Sequence, residues 1–105
     1  MVSVPQQGEI WWAEAEDKRR PVLIVTRNEA IHVLSSITIA PVTRTVRNIP
    51  TEIALGARHG LSSTCAAAFD NLQPMRRSLL TTRVGRLGVE ELEEICRAIR
   101  ALTDC

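Results

Sequence analysis

Two apolar, β-branched runs dominate this chain: Pro21-Val22-Leu23-Ile24-Val25-Thr26 and Ile39-Ala40-Pro41-Val42-Thr43. Short runs of Val and Ile bounded by polar residues read as buried strands. Each has a polar residue at one end, where strand meets loop: Arg20 opens the first and Thr43 closes the second. Paired antiparallel, the start of one strand lies beside the end of the other. A guanidinium and a hydroxyl then share one mouth of the sheet, an arrangement suited to phosphate.

The remaining elements are read around that pair. Residues 1–7 read as a loose tail. Glu9–Glu14 alternates as a first strand, which sends one of Trp11 and Trp12 inward and leaves the other as a flat face for a protein or a nucleobase. Ala15–Arg19 reads as a charged hairpin loop, and Asn28–Leu34 as a turn or short helical piece before a strand over Ser36–Thr43. Arg44–Pro50 is a basic loop, followed by strands over Thr51–Leu55 and Thr64–Phe69; by propensity alone Cys65–Ala68 could equally be helical. Pro74–Ser78 reads as a turn, Leu79–Arg86 as a last strand, and Val89–Thr103 as a helix released by Gly88. Val89, Leu92, Ile95, Cys96, Ile99 and Leu102 fall on one face of that helix. Its opening glutamates suit a helix N-terminus, and Glu93 is placed to pair with Arg97. The tally predicts a mostly β, α+β architecture: one domain over 1–105, a strongly bent antiparallel sheet under a C-terminal amphipathic helix.

Composition narrows the functional classes. With 105 residues, 45% of them hydrophobic, the chain can build one core, and oligomerisation would add burial. No run approaches the roughly 18 apolar residues of a membrane span, and the N-terminus lacks a signal-peptide pattern, so a cytoplasmic location is expected. Cys65, Cys96 and Cys105 are odd in number and lack a CxxC pair, so neither a disulfide framework nor a zinc site is indicated; Cys65 and Cys96 are expected inside as small hydrophobes. Net charge is only +1, yet from Lys18 to Arg58 seven basic residues face only Glu29 and Glu52. Arg76, Arg77, Arg83 and Arg86 form a second basic group. His32 and His59 sit in connecting segments and read as surface residues without a catalytic part.

In order along the chain, Gly8-Glu9-Ile10-Trp11, Arg20-Pro21-Val22-Leu23-Ile24-Val25, Ala40-Pro41-Val42-Thr43, Phe69-Asp70-Asn71-Leu72-Gln73 and Val84-Gly85-Arg86-Leu87 resemble the MazF/PemK family of toxin endoribonucleases. The resemblance implies the small SH3-like barrel of the CcdB/PemK/MazF type. It implies cleavage of single-stranded RNA without a metal or other cofactor, through a 2′,3′-cyclic phosphate and a 5′-hydroxyl. Arg20 and Thr43 occupy the positions the family uses at its active centre. RNA contacts are expected from Trp12, Lys18, Arg19, Arg44, Arg47, Asp70, Asn71 and Gln73. Asp70 matches an acid that PemK-type members use as base, although Asp-Asn also favours turns. Ala68 and Gln73 stand where that pattern has arginines. A homodimer and a MazE-like antitoxin with an acidic tail are the implied partners. The alternative is a CcdB-like protein that poisons a topoisomerase by binding, and a third reading is a small barrel adaptor.

Overall fold

The structure is a computed structural model and describes residues 4–103. The strands are β1 (Glu9–Ala15), β2 (Lys18–Ile24), β3 (Ser36–Thr43), β4 (Glu52–Leu55), β5 (Cys65–Ala68), β6 (Gln73–Arg76) and β7 (Leu80–Arg86); the helices are α1 (Asn28–Ile31) and α2 (Glu93–Thr103). They form one curled antiparallel sheet in the order β4-β5-β3-β2-β1-β7, with β6 pairing the first half of β3. This mostly β, SH3-like half-barrel with a C-terminal helix is the predicted architecture.

The central ladder explains how the barrel opens. β2 and β3 pair only from Val22↔Pro41 to Ile24↔Ile39, after which β3 leaves β2 and pairs with β5 at Val42↔Ala67 and Thr43↔Ala66. Pro21 and Pro41 carry no N–H, so each strand lacks a ladder donor where the two part. Strand alternation gives the sheet two faces. On one, Trp11, Val22, Ile24, Ile37 and Ile39 pack with Leu80; on the other, Ile10, Leu23, Ala40, Ile53 and Phe69 pack beneath α2 through Ile95 and Ala98. Trp11 is buried and Trp12 half-buried, as the alternation requires.

Several local readings are corrected. The loop before Arg20 is a two-residue turn, since Lys18 and Arg19 already pair with Ala15 and Glu14. Glu16 and Asp17 have φ of 50° and 63°, the left-handed pair that a tight hairpin needs to match the twist of its strands. Gln73–Arg76, expected mostly as a turn, is an edge strand in which Pro74 faces Thr38 and its missing N–H removes no second ladder. Cys96 is exposed, whereas Cys65 is buried as expected; Cys105 lies outside the described residues. Arg97 pairs with Glu94 at 2.9 Å, not with Glu93, and donates to the carbonyls of Pro50 and Glu52. Those bonds set the rotation of α2, so Ile95 and Ala98 face inward while Ile99 and Leu102 stay exposed. The helix begins at Glu93 and not at Val89 as expected, because Val89–Glu91 forms a separate 3-10 turn that leaves Val89 exposed. The segment read as a loose tail is held at its end: Pro5 is buried, Gln7 N–H donates to Asn28 Oδ1, and Gln7 Nε2 donates to the Val25 carbonyl. Residues 1–3 of that segment lie outside the described residues.

His59 is no surface residue. It is 2% exposed, its Nδ1 accepts the Gly56 N–H at 3.1 Å, and its Nε2 lies 3.1 Å from Glu91 Oε2. The Gly56 bond requires a bare Nδ1, so the proton sits on Nε2 and is donated to the carboxylate. Gly60 and Gly85 make this junction: a Cβ on Gly85 would strike the His59 carbonyl, and Gly60 has φ of 87°. Glu91 also accepts from Gly88 N–H at 2.9 Å and from Arg58 at 2.7 Å.

The Gly88 hydrogen bond, aided by His59 and Arg58 and opposed by burial, holds the Glu91 carboxyl below the usual glutamate value. A depressed folded-state pKa stabilises the fold above the unfolded value, and that stability is lost as pH falls through the folded value. Urea unfolding of wild type is therefore expected to weaken more steeply below about pH 4.5 than that of Glu91→Gln. The variant should be the less stable at pH 7, and the two curves should converge in acid. Parallel curves would show that Glu91 contributes no pH dependence.

Candidate active site

Where β2 and β3 part, a cleft of about 1060 Å³ opens at one end of the sheet. Arg20 stands two residues before Val22 and Thr43 two residues after Pro41, the pair at which the β2–β3 ladder ends, and both residues line this cleft. The antiparallel pairing expected from the two apolar runs therefore brings guanidinium and hydroxyl to one mouth. Across the hairpin, Ala13 faces Arg20 and Ala15 faces Lys18, so small side chains leave room for the long cationic ones. From the other side the turn after β5 brings Asp70 and Asn71, and Gln73 follows at the start of β6.

The hydrogen bonds define what each group can offer. Arg20 is exposed, and no described residue gives it an ion pair or hydrogen bond; Glu14, Glu16 and Asp17, the carboxylates nearest in sequence, leave it free. Thr43 Oγ1 accepts the Thr45 N–H at 3.0 Å, closing the strand end and leaving its own O–H to donate. Asp70 Oδ2 accepts from Thr51 Oγ1 at 2.6 Å, which leaves Oδ1 open on an exposed carboxylate. The cleft thus holds a fixed cation, a hydroxyl donor and a carboxylate acceptor. Such a set can bind a phosphodiester and exchange protons with it. Among the described residues no three His, Cys, Asp or Glu side chains gather in a group that could hold a metal ion.

Of the ten residues singled out in the sequence, Lys18, Arg20, Thr43, Arg44, Asp70, Asn71 and Gln73 line the cleft. Trp12 and Arg19 do not. They sit across the sheet, where the Arg19 guanidinium lies 4.5 Å from the Trp12 ring centroid. Arg47 does not line the cleft either and lies 3.6 Å from the buried carboxylate of Glu52. That carboxylate also accepts the N–H groups of Arg47 and Asn48, at 2.9 and 3.2 Å, and so shapes the basic loop that follows Thr43. Glu52 and Thr51 were not legible as parts of the site. Their signal, Asn48 at a left-handed φ of 55° and an acid opening an apolar strand, is common in turns.

No helix among the described residues is long and apolar enough to cross a membrane. Residues 6–103 match the PemK-like, MazF-like toxin of type II toxin-antitoxin systems. A probable endoribonuclease MazF5 of Mycobacterium tuberculosis is 34% identical over 100% of this chain and 98% of its own length. Among solved structures, the Mycobacterium tuberculosis toxin MazF-mt6 superposes with a TM-score of 0.83 at 34% identity, covering 91% of this chain and 96% of that one. A mycobacterial endoribonuclease in complex with its cognate antitoxin has the same fold, with a TM-score of 0.81 at 23% identity over 94% of each chain. The order of the strands, the cleft between β2 and β3 and these similarities agree: the chain belongs to the PemK-like, MazF-like family of toxins of type II toxin-antitoxin systems.

Proposed function

We propose that this protein is an endoribonuclease toxin that cuts single-stranded RNA in the cleft between β2 and β3. The observation that carries the reading is the meeting there of an Arg20 guanidinium without a partner among the described residues and a Thr43 hydroxyl that accepts the Thr45 N–H and keeps its own O–H to donate. In the reaction the ribose 2′-hydroxyl gives up its proton and attacks the adjacent phosphorus. The bond to the 5′-oxygen of the next nucleotide breaks and that oxygen takes a proton, leaving a 2′,3′-cyclic phosphate and a 5′-hydroxyl. Arg20 stabilises the phosphorane, because its guanidinium is a cation whose planar fork spans two phosphate oxygens. Thr43 donates to a phosphate oxygen. Asp70, hydrogen-bonded by Thr51 and lining the cleft, serves in this reading as the carboxylate that accepts the 2′-proton. Lys18 and Arg44 draw the RNA backbone to the cleft, while Asn71 and Gln73 offer amides to base edges. The positive charge that offsets the negative phosphorane comes from side chains, so the proposed reaction calls on no metal.

Two further parts of the reading follow from the surface. The exposed apolar side chains of Ile99 and Leu102 on α2 suit a homodimer, and the basic cleft suits an acidic antitoxin tail. Such a toxin acts on RNA in the cytoplasm. The test is cleavage of a long single-stranded RNA by purified protein in EDTA, with the new ends mapped. Cuts at a short recurring motif with 5′-hydroxyl ends are expected. If folded, antitoxin-free protein leaves the RNA intact with and without added divalent metal, the ribonuclease reading fails and binding to a topoisomerase becomes the next assay.

A further inference from the structure

The face of the sheet opposite the catalytic cleft carries a second cavity, of about 320 Å³. The half-buried indole of Trp12 and the Arg19 guanidinium stacked on it form one wall, and Leu61, Ser62 and Ser63 form another. Arg44 lines both this cavity and the catalytic cleft, and it has no partner among the described residues. We propose that this cavity is a base-binding subsite that takes one unstacked nucleobase of the RNA strand flanking the cut. The strand crosses the sheet rim with a phosphate on Arg44, and the base continues the indole–guanidinium stack with its edge toward the hydroxyls of Ser62 and Ser63.

Three observations carry this assignment. Flat, rigid faces of Trp and Arg are the surfaces on which single-stranded bases stack. The charged side chains lining the cavity, Arg19 and Arg44, are both cationic, so it favours a polyanion over a purely apolar occupant. Continuity with the cleft through Arg44 places the cavity within reach of a strand already held there. The small Ser62 and Ser63 contribute donor and acceptor hydroxyls, which gives the subsite a means of preferring one base edge to another. The inference rests on the RNA-cleavage reading above, but concerns a different set of side chains.

The test is equilibrium binding of a fluorescein-labelled, fully 2′-O-methylated single-stranded RNA of mixed sequence, which lacks the attacking hydroxyl, measured in EDTA at fixed salt. Trp12→Ala is expected to weaken binding about 10- to 100-fold, the range of one lost base–aromatic stack, while Trp12→Phe retains most of the affinity. Ser62→Tyr fills the cavity from an exposed loop without disturbing the core and is expected to match Trp12→Ala. Because Trp11 is buried and Trp12 is not, RNA should quench the indole emission of wild type, and Trp12→Phe should lose that quenching while still binding. Wild-type affinity in both folded Trp12→Ala and Ser62→Tyr overturns the subsite and leaves the cavity to a protein occupant. If those variants bind normally while wild-type protein cuts RNA, only the subsite fails. If wild type neither binds nor cuts RNA, the activity fails and takes the subsite with it.

Discussion

Arg20→Ala is expected to lower RNA cleavage by roughly three orders of magnitude while leaving the folded protein intact. The guanidinium lines the cleft together with Thr43, and no carboxylate among the described residues engages it, so its charge is available to a substrate. Removing one preorganised donor from a developing oxyanion costs about 10²–10³ in rate, and removing an arginine from a phosphoryl-transfer site about 10³–10⁵. Each tenfold loss corresponds to about 1.4 kcal/mol of transition-state stabilisation. Arg20→Lys restores charge but not the planar fork, so only part of the loss should be recovered. Single-turnover rates on a mapped RNA, with unfolding midpoints measured alongside, check the result. A variant that unfolds with the wild type yet cuts at more than a tenth of its rate would place the charge stabilisation elsewhere. Because Arg20 is exposed and its side chain has no ion pair or hydrogen bond to a described residue, its removal should move stability by no more than about 0.5 kcal/mol.

Phe69→Ala is expected to destabilise the protein by about 3–5 kcal/mol, a large share of the roughly 5–15 kcal/mol that holds a small domain together. Phe69 is fully buried among Ile53, Leu23 and the inner residues of α2, and it is the chain's sole phenylalanine. Its N–H donates to the Thr51 carbonyl at 2.9 Å and its carbonyl accepts from Leu72, so the ring anchors the tight turn that presents Asp70 and Asn71. A cavity there both costs burial and frees the turn. The melting temperature should fall by more than about 12 °C, and Phe69→Leu, which leaves a smaller void, should lose considerably less. At a temperature where Phe69→Ala is still folded, cleavage should fall further than the folded fraction explains, because Asp70 is no longer held. Equal loss of activity and folded fraction would confine Phe69 to the core.

The two buried runs announced themselves in the sequence because β-branched residues without charge have no other economical place in a small protein. Once those runs pair, the ends of the strands follow, which is why Arg20 and Thr43 could be brought together before any coordinates. Asp70 and Asn71 were legible only through the resemblance of Phe69-Asp70-Asn71-Leu72-Gln73 to the MazF/PemK family. The same local logic failed at Pro74–Ser78, since the pairing of Gln73–Arg76 with β3 depends on a neighbour far along the chain. It failed at Cys96 because the rotation of α2 is set by Arg97 reaching two carbonyls at the start of β4.

The side of the sheet on which each basic residue stands was decided only by the tertiary structure. Lys18, Arg19 and Arg20 are consecutive, and composition treats them as one basic cluster. The two-residue turn at Glu16 and Asp17 sets the register, and strand alternation then sends Lys18 and Arg20 into the cleft and Arg19 across to Trp12. A shift of one residue in that turn would exchange the faces, because side chains in a strand alternate with a period of two. Hydrophobic pattern thus named the strands and the Arg20 and Thr43 at their ends, while their proposed catalytic part came from the family resemblance. The length of a turn, a buried Glu52 and a buried His59 are visible only once distant residues meet, since each depends on partners that no local stretch of sequence contains.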